Sequence, residues 1–242
     1  MERIQKVIAN RGFCSRRKAE EYLKKGKIKV NGNIVRELGT LVNENDIIEI
    51  DGTILGKEEK EYILLYKPRG VITSTSDDKK RKTVLDIVDT NKRLYPVGRL
   101  DYDTSGLLLL TNDGELTNKL IHPKHEIEKT YIAKVKGFVS KDALKILSSG
   151  VMIDNYKTAP AKAKLKKYDK KTDTSIVVLT IHEGKNHQVK KMFNALGFDV
   201  LKLKRETFSF LTLVGLKPGE YRKLTPKEVK ILYNDVNSHK NY

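Results

Sequence analysis

Cysteine is almost absent. A single one, Cys14, among 242 residues rules out any intramolecular disulfide. The five histidines are scattered without cysteine neighbours, so a structural zinc site is not expected and the chain reads as metal-free. No apolar run approaches the roughly 20 residues a membrane helix requires. The opening Met1-Glu2-Arg3-Ile4-Gln5-Lys6 has no apolar core of a secretory signal, and Glu2 argues against a transit peptide, so a cytoplasmic location is expected. Internal repeats and low-complexity tracts are lacking as well. Cys14 itself, among apolar neighbours in a region read as helical, is expected to be a small buried filler.

Positive charge, by contrast, is abundant. Forty-eight Lys and Arg against 31 Asp and Glu leave a net charge of +17. Such an excess points to a polyanionic partner, because each neutralised phosphate releases counterions. Nucleic acid comes first. An anionic membrane falls behind, because no basic amphipathic helix carries a large aromatic face.

The length suits a large domain with a small one attached. Residues 1–56 read as the small one. Ile4, Val7 and Ile8 lie at helical spacing up to Gly12, and Ser15 is placed to cap a second helix through Ala19, Tyr22 and Leu23 that Gly26 closes. Ile28-Lys29-Val30 then runs through Asn31-Gly32, a hairpin signal, towards Ile34-Val35, and Ile47 to Ile50 supply another strand. Residues 1–33 hold ten Lys and Arg against three Glu. Arg11, Arg16, Arg17 and Lys18 crowd the junction of the two helices beside Ser15, where a helix N-terminus adds its own pull on phosphate. No helix of major-groove type is evident, which favours reading folded RNA by shape and phosphate.

Residues 57–60 are polar and read as a linker. From 61 to 234, strands and helices alternate without a regular βαβ rhythm, which predicts an α+β domain on a mixed, largely antiparallel sheet. Glu61 to Tyr66 and Lys129 to Val135 read as strands, the latter with Tyr131, Ala133 and Val135 on one face. Val71 to Thr73, Lys162 to Lys167, Ser175 to Ile181 and Val200 to Lys204 read as further strands. Helices are expected at 83–88, 114–122, 141–147 and 187–196, and from the capping tetrad Thr225-Pro226-Lys227-Glu228. Residues 235–242 read as a flexible tail.

One stretch stands at the centre. Gly98-Arg99-Leu100-Asp101-Tyr102-Asp103-Thr104-Ser105-Gly106 is a polar loop feeding Leu107 to Leu110, a run suited to a strand buried on both faces. Asp101 would sit at the lip of that strand, partly desolvated, as a nucleophile or acid/base group requires. The same spacing equally suits two Asx-turns in an ordinary loop.

Motifs extend this reading. The segment SRRKAEEYLKKGKIKVNG resembles the alpha-L RNA-binding module of ribosomal protein S-four type. GRLDYDTSGLLLLTNDGEL, KTYIAKVKG and EGKNHQVKKMF resemble three sequence blocks of bacterial ribosomal-RNA pseudouridine synthases of the RsuA/RluB branch. YKPRGVITS and LKPGEYRKLTPKEV are similar to that branch too. The resemblance implies isomerisation of a uridine within RNA: the bond from ribose to the ring nitrogen breaks and ribose rejoins at carbon five, without a cofactor. It implies that Asp101 is the essential acid, that Tyr131 stacks on the uracil or stands near the carbon that loses a proton, and that Lys190 pairs with the aspartate. Arg99, beside Asp101, would fill the space of a flipped-out base. Lys185, His187 and Lys191 would contact RNA, although many relatives carry Arg at 185, 190 and 191, where Lys offers only a point charge.

The segments Leu201 to Glu206, Phe210 to Leu213 and Gly219 to Arg222 resemble RluB-type sequences, which implies large-subunit rRNA, free or in an assembly intermediate, as the partner of a monomeric enzyme. The small-subunit reading stays open. So does a catalytically silent RNA-binding or ribosome-assembly protein, which would account for the charge and the alpha-L module but not for the three blocks.

Overall fold

Ser15 caps its helix as the spacing predicts. In the computed structural model of the protein, which describes residues 1–238, its hydroxyl accepts a hydrogen bond from the Lys18 N–H at 3.1 Å. The chain divides into two compact units. The smaller comprises Met1–Glu61 with Thr90–Arg93 and Asn112–Gly114, and the larger holds the remainder.

In the smaller unit, β1 (Glu2–Arg3) leads into α1 (Ile4–Asn10) and α2 (Arg16–Lys24), followed by β2 (Ile28–Val30), β3 (Asn33–Val35), β4 (Leu41–Val42), β5 (Ile48–Ile50) and β6 (Thr53–Ile54). A sheet of order β3-β2-β5-β6 forms because Asn31 and Gly32 both adopt positive φ, 50° and 84°, the twist a two-residue hairpin needs. Ile4, Ile8, Ala19, Leu23, Ile28, Ile48 and Ile50 are fully buried between helices and sheet. Cys14 departs from expectation. It lies in the turn between α1 and α2, only partly buried, because Gly12 ends the first helix before it. Residues 57–60, read as a linker, are tied down: the Asn112 carboxamide accepts from Glu61 N at 2.9 Å and donates to Glu58 Oε2 and Glu59 O, each at 2.9 Å.

The larger unit is built on strands β7 (Tyr62–Lys67), β8 (Tyr95–Pro96), β9 (Thr104–Thr111), β10 (Lys129–Lys136), β11 (Met152–Ile153), β12 (Tyr156–Lys157), β13 (Lys162–Asp169), β14 (Thr174–Ile181), β15 (Val200–Phe208), β16 (Leu211–Thr212) and β17 (Tyr221–Lys223). Its helices are α3 (Gly114–Ile121), α4 (Lys141–Ser149), α5 (Gln188–Asn194) and α6 (Pro226–Ser238). The main sheet has nine strands, ordered β13-β14-β10-β15-β9-β7-β17 with β8 and β16 alongside. Among the described residues only β9 and β15 pair in parallel within it; the other pairings are antiparallel, the α+β arrangement expected.

Alternation assigns the two faces. Leu108 and Leu110 of β9 join Ile63, Leu65, Ala133 and Val135 in one core, and Leu107 and Leu109 join Leu64, Phe208, Leu116, Leu120 and Leu232 in the other. A strand buried on both faces needs no polar residue, which explains the unbroken leucines. At the parallel seam, Gly106 has φ 123°, and a Cβ there would lie 2.2 Å from the Arg205 carbonyl oxygen. Only glycine fits.

Three local readings need correction. Val71 to Thr73 forms a single bridge, Ile72 to Thr83, and the helix expected at 83–88 is a 3-10 turn, Val84–Ile87, held by a Thr83–Asp86 capping box. The tail expected from 235 is helical through Ser238, because Val236 falls one turn after Leu232 on the inward face and both are fully buried. Residues 239–242 of that expected tail lie outside the described residues.

Candidate active site

The loop before β9 is held by main-chain bonds. Lys67, the last residue of β7, is fully buried, and its ammonium donates to three carbonyl oxygens: Thr104 at 2.8 Å, Asp101 at 3.0 Å and Pro68 at 3.0 Å. Gly70 N donates to Tyr102 O at 2.7 Å, Arg69 Nε to Asp103 O at 2.9 Å, and the Thr73 hydroxyl to Leu100 O at 2.7 Å. The backbone of Asp101 is thereby fixed while its carboxylate stays about 29% exposed.

That carboxylate meets α5. Asp101 Oδ2 stands 3.0 Å from Lys190 Nζ and 3.0 Å from His187 Nδ1. Lys190 also reaches Asp103 Oδ1 at 2.6 Å. Burial works to lower the Lys190 pKa, but its bonds to Asp103 and Asp101 outweigh that and hold it above the ordinary lysine value. The same ammonium draws Asp103 below the usual carboxylate range. His187, just ahead of α5, has a left-handed backbone, φ 54°.

A cavity of about 120 Å³ opens beside this pair. Tyr131 on β10, 8% exposed, lines it together with Leu100, Ile181, Val189 and Leu203, so phenol, acid and ammonium converge on one space large enough for a single nucleobase. Arg99, exposed, and Lys185 also line it. Lys185 Nζ lies 3.1 Å from the centroid of the Tyr156 ring, a cation–π contact. Lys191 does not reach the cavity. One residue beyond Lys190, it turns about 100° around the helix and pairs with Asp154 instead.

In the smaller unit the nominated residues separate. Arg16 and Arg17 are exposed, and Lys18 bonds Glu21 at 2.7 Å. Arg11, by contrast, donates from Nη1 to Leu55 O at 3.0 Å, a contact internal to the fold. Ser15 is occupied as the cap.

Sequence reasoning missed three cations. Lys67, Lys129 and Arg205 are not among the residues nominated from sequence. Lys129 and Arg205 are 8% and 2% exposed and line the cavity. A signal existed. Each continues an inward-facing alternation: Ile63, Leu65, Lys67; Lys129, Tyr131, Ala133; Leu203, Arg205.

Among the described residues no group of three or more His, Cys, Asp or Glu is placed to hold a metal ion. No helix is long and apolar enough to cross a membrane.

An acid beside an ammonium at the mouth of a base-sized cavity that a phenol lines, on a largely antiparallel sheet, can receive a single flipped-out base. The chain belongs to the RNA pseudouridylate synthase family, whose model matches residues 61–195, and it carries an S4 domain matched over residues 2–48. It is 60% identical over 233 residues to the ribosomal large subunit pseudouridine synthase B of Bacillus subtilis strain 168, covering 96% of each chain. An RNA pseudouridine synthase of Aquifex aeolicus strain VF5 is 40% identical over 97% of this chain and 94% of its own. A crystal structure of a pseudouridylate synthase superposes with a TM-score of 0.69 at 34% identity, covering 96% of this chain and all of that one.

Proposed function

We propose that the chain converts a specific uridine of large-subunit ribosomal RNA to pseudouridine, with Asp101 as the essential acid. The observation that carries this is the Asp101–Lys190 pair, 3.0 Å apart, at the cavity that Tyr131 lines. A carboxylate is needed at the reacting nucleotide, and the Lys190 ammonium 3.0 Å away supplies its counter-charge. Tyr131 supplies a ring on which uracil stacks, a contact worth roughly 1–3 kcal/mol in nucleic-acid sites. Arg99 at the exposed rim is placed to occupy the gap left by a flipped base. Lys185 and His187 line the approach for the flanking backbone, and Arg16, Arg17 and Lys18 on the S4 domain bind phosphate. The choice of the large subunit rests on the name of the 60% identical relative.

In this reading, residues 1–56 recognise rRNA or an assembly intermediate, 57–60 connect, and 61 onward catalyse, in a monomer acting in the cytoplasm. The test is chemical, because pseudouridine has the mass of uridine. Carbodiimide probing of rRNA from cells lacking the gene loses one large-subunit stop, restored by the parent gene. No lost stop would leave a protein that only binds RNA.

A further inference from the structure

Beside Asp101 and Lys190, the cavity is lined by two buried cations with no counter-charge among the described residues. Arg205 is 2% exposed. Its Nε donates to Leu107 O at 2.8 Å, while Nη2 is buried with no partner among the described residues. Lys129 is 8% exposed and donates to Ile127 O at 2.9 Å and His182 O at 3.4 Å. Both lie against the ring of Phe208, with centroid distances of 5.2 Å for the Arg205 guanidinium and 5.7 Å for the Lys129 ammonium. Neither has a carboxylate partner among the described residues. The charged group acting on Lys129 is Arg205 itself, from β15, while the segment just after β14 offers it the His182 carbonyl. Two buried cations side by side are costly unless something supplies the missing negative charge.

We propose that Arg205 and Lys129 form a cationic floor that grips the carbonyl oxygens of the reacting uracil and stabilises the negative charge the ring acquires when its bond to ribose breaks. This rests on the isomerase reading above. When the C1′–N1 bond breaks, its electron pair goes to the ring and spreads onto O2 and O4. The C1′–C5 bond then forms, the C5 proton leaves and N1 gains one, so the change balances without a co-reactant. Donors fixed in a dry site, aimed where charge develops, are the strongest aid to such a step.

The geometry of uracil makes a floor of pure donors apt for another reason. To present C5 where N1 had been, the ring must turn about its N3–C6 axis, and that same turn exchanges O2 with O4. A floor that only donates holds the ring equally before and after. Cytosine, with an amino group in place of O4, would set a donor against a donor both before and after the turn. The floor thus also selects uracil.

The experiment measures single-turnover pseudouridine formation and RNA affinity on an rRNA fragment, with the parent enzyme as reference. Arg205→Gln is expected to slow the step about 100-fold or more while the RNA Kd stays within about threefold, since removing one such donor costs roughly 10²–10³ in rate. A rate within threefold of the parent overturns the proposal. So does a loss confined to Kd, which would mean a phosphate contact. Inactivity of the parent would instead refute the isomerase reading.

Should Arg205→Gln fail to fold, Lys129→Arg decides. Burial lowers the Lys129 pKa to about 8, with Arg205 adding to the effect, so the floor loses charge above that pH. Burial lowers the Lys67 pKa to about 8 as well, so the readout is the comparison of the two profiles: between about pH 8 and 9.5 Lys129→Arg keeps a larger share of its rate than the parent does. An unmoved profile rejects Lys129 as part of the floor.

Discussion

The rim of the cavity and its deep wall solve opposite electrostatic problems. At the rim, Asp101 and Asp103 share the Lys190 ammonium, and water reaches all three. Behind it, Lys129 and Arg205 line the cavity and Lys67 lies beneath the Asp101 loop; among the described residues all three are bonded to carbonyl oxygens and to no carboxylate. The rim balances its charge within the chain and can be altered at modest cost. The wall leaves net positive charge in a dry place, so it depends on what enters and on an intact backbone.

The largest effect that would test this contrast is at the rim. Asp101→Asn should abolish product while RNA affinity stays within a few fold, measured by single-turnover conversion and filter binding; retained turnover removes Asp101 from its role. Next comes the buried lysine under the loop. Lys67→Met should strand three carbonyls, that of Thr104 buried, and cost roughly 3 kcal/mol of stability, read as a lowered thermal midpoint, with activity falling as the Asp101 loop loosens. Lys190→Met should cut the rate about 10- to 100-fold yet change stability by less than about 1 kcal/mol, because a partly exposed pair adds little. If Lys190→Met proved as destabilising as Lys67→Met, the distinction between rim and wall would fail.

The smallest effect lies away from the cavity. Arg222 and the Thr225 cap hold the Glu228 carboxyl down to about 2, from an ordinary value of 4.5. A depressed acid contributes stability that is complete above pH 4.5 and is lost as pH falls towards 2. Glu228→Gln should cost about 1 kcal/mol at pH 7 and nothing near pH 2, checked by urea melts at both pH values.

Sequence made the rim legible and left the wall dark. Asp101, Tyr131 and Lys190 stand in motifs, so their convergence could be anticipated. Lys67, Lys129 and Arg205 carry the same alternation as their apolar neighbours, but a lysine at a strand end ordinarily reaches water. Their burial is decided by carbonyls from residues far along the chain, Leu107 for Arg205 and Thr104 for Lys67, which spacing cannot reveal. The fold class was readable because alternation and turn residues are local. The final helix runs past the expected boundary at 234 because Val236 is claimed by the core.

Gly106 sets the gauge of the site. The strand it belongs to leads from the acid, the strand across the seam from it adjoins the one bearing the phenol, and the two approach so closely that not one extra carbon fits. A methyl group at this joint would act as a wedge, spreading the acid from the phenol by a fraction of an ångström without touching either.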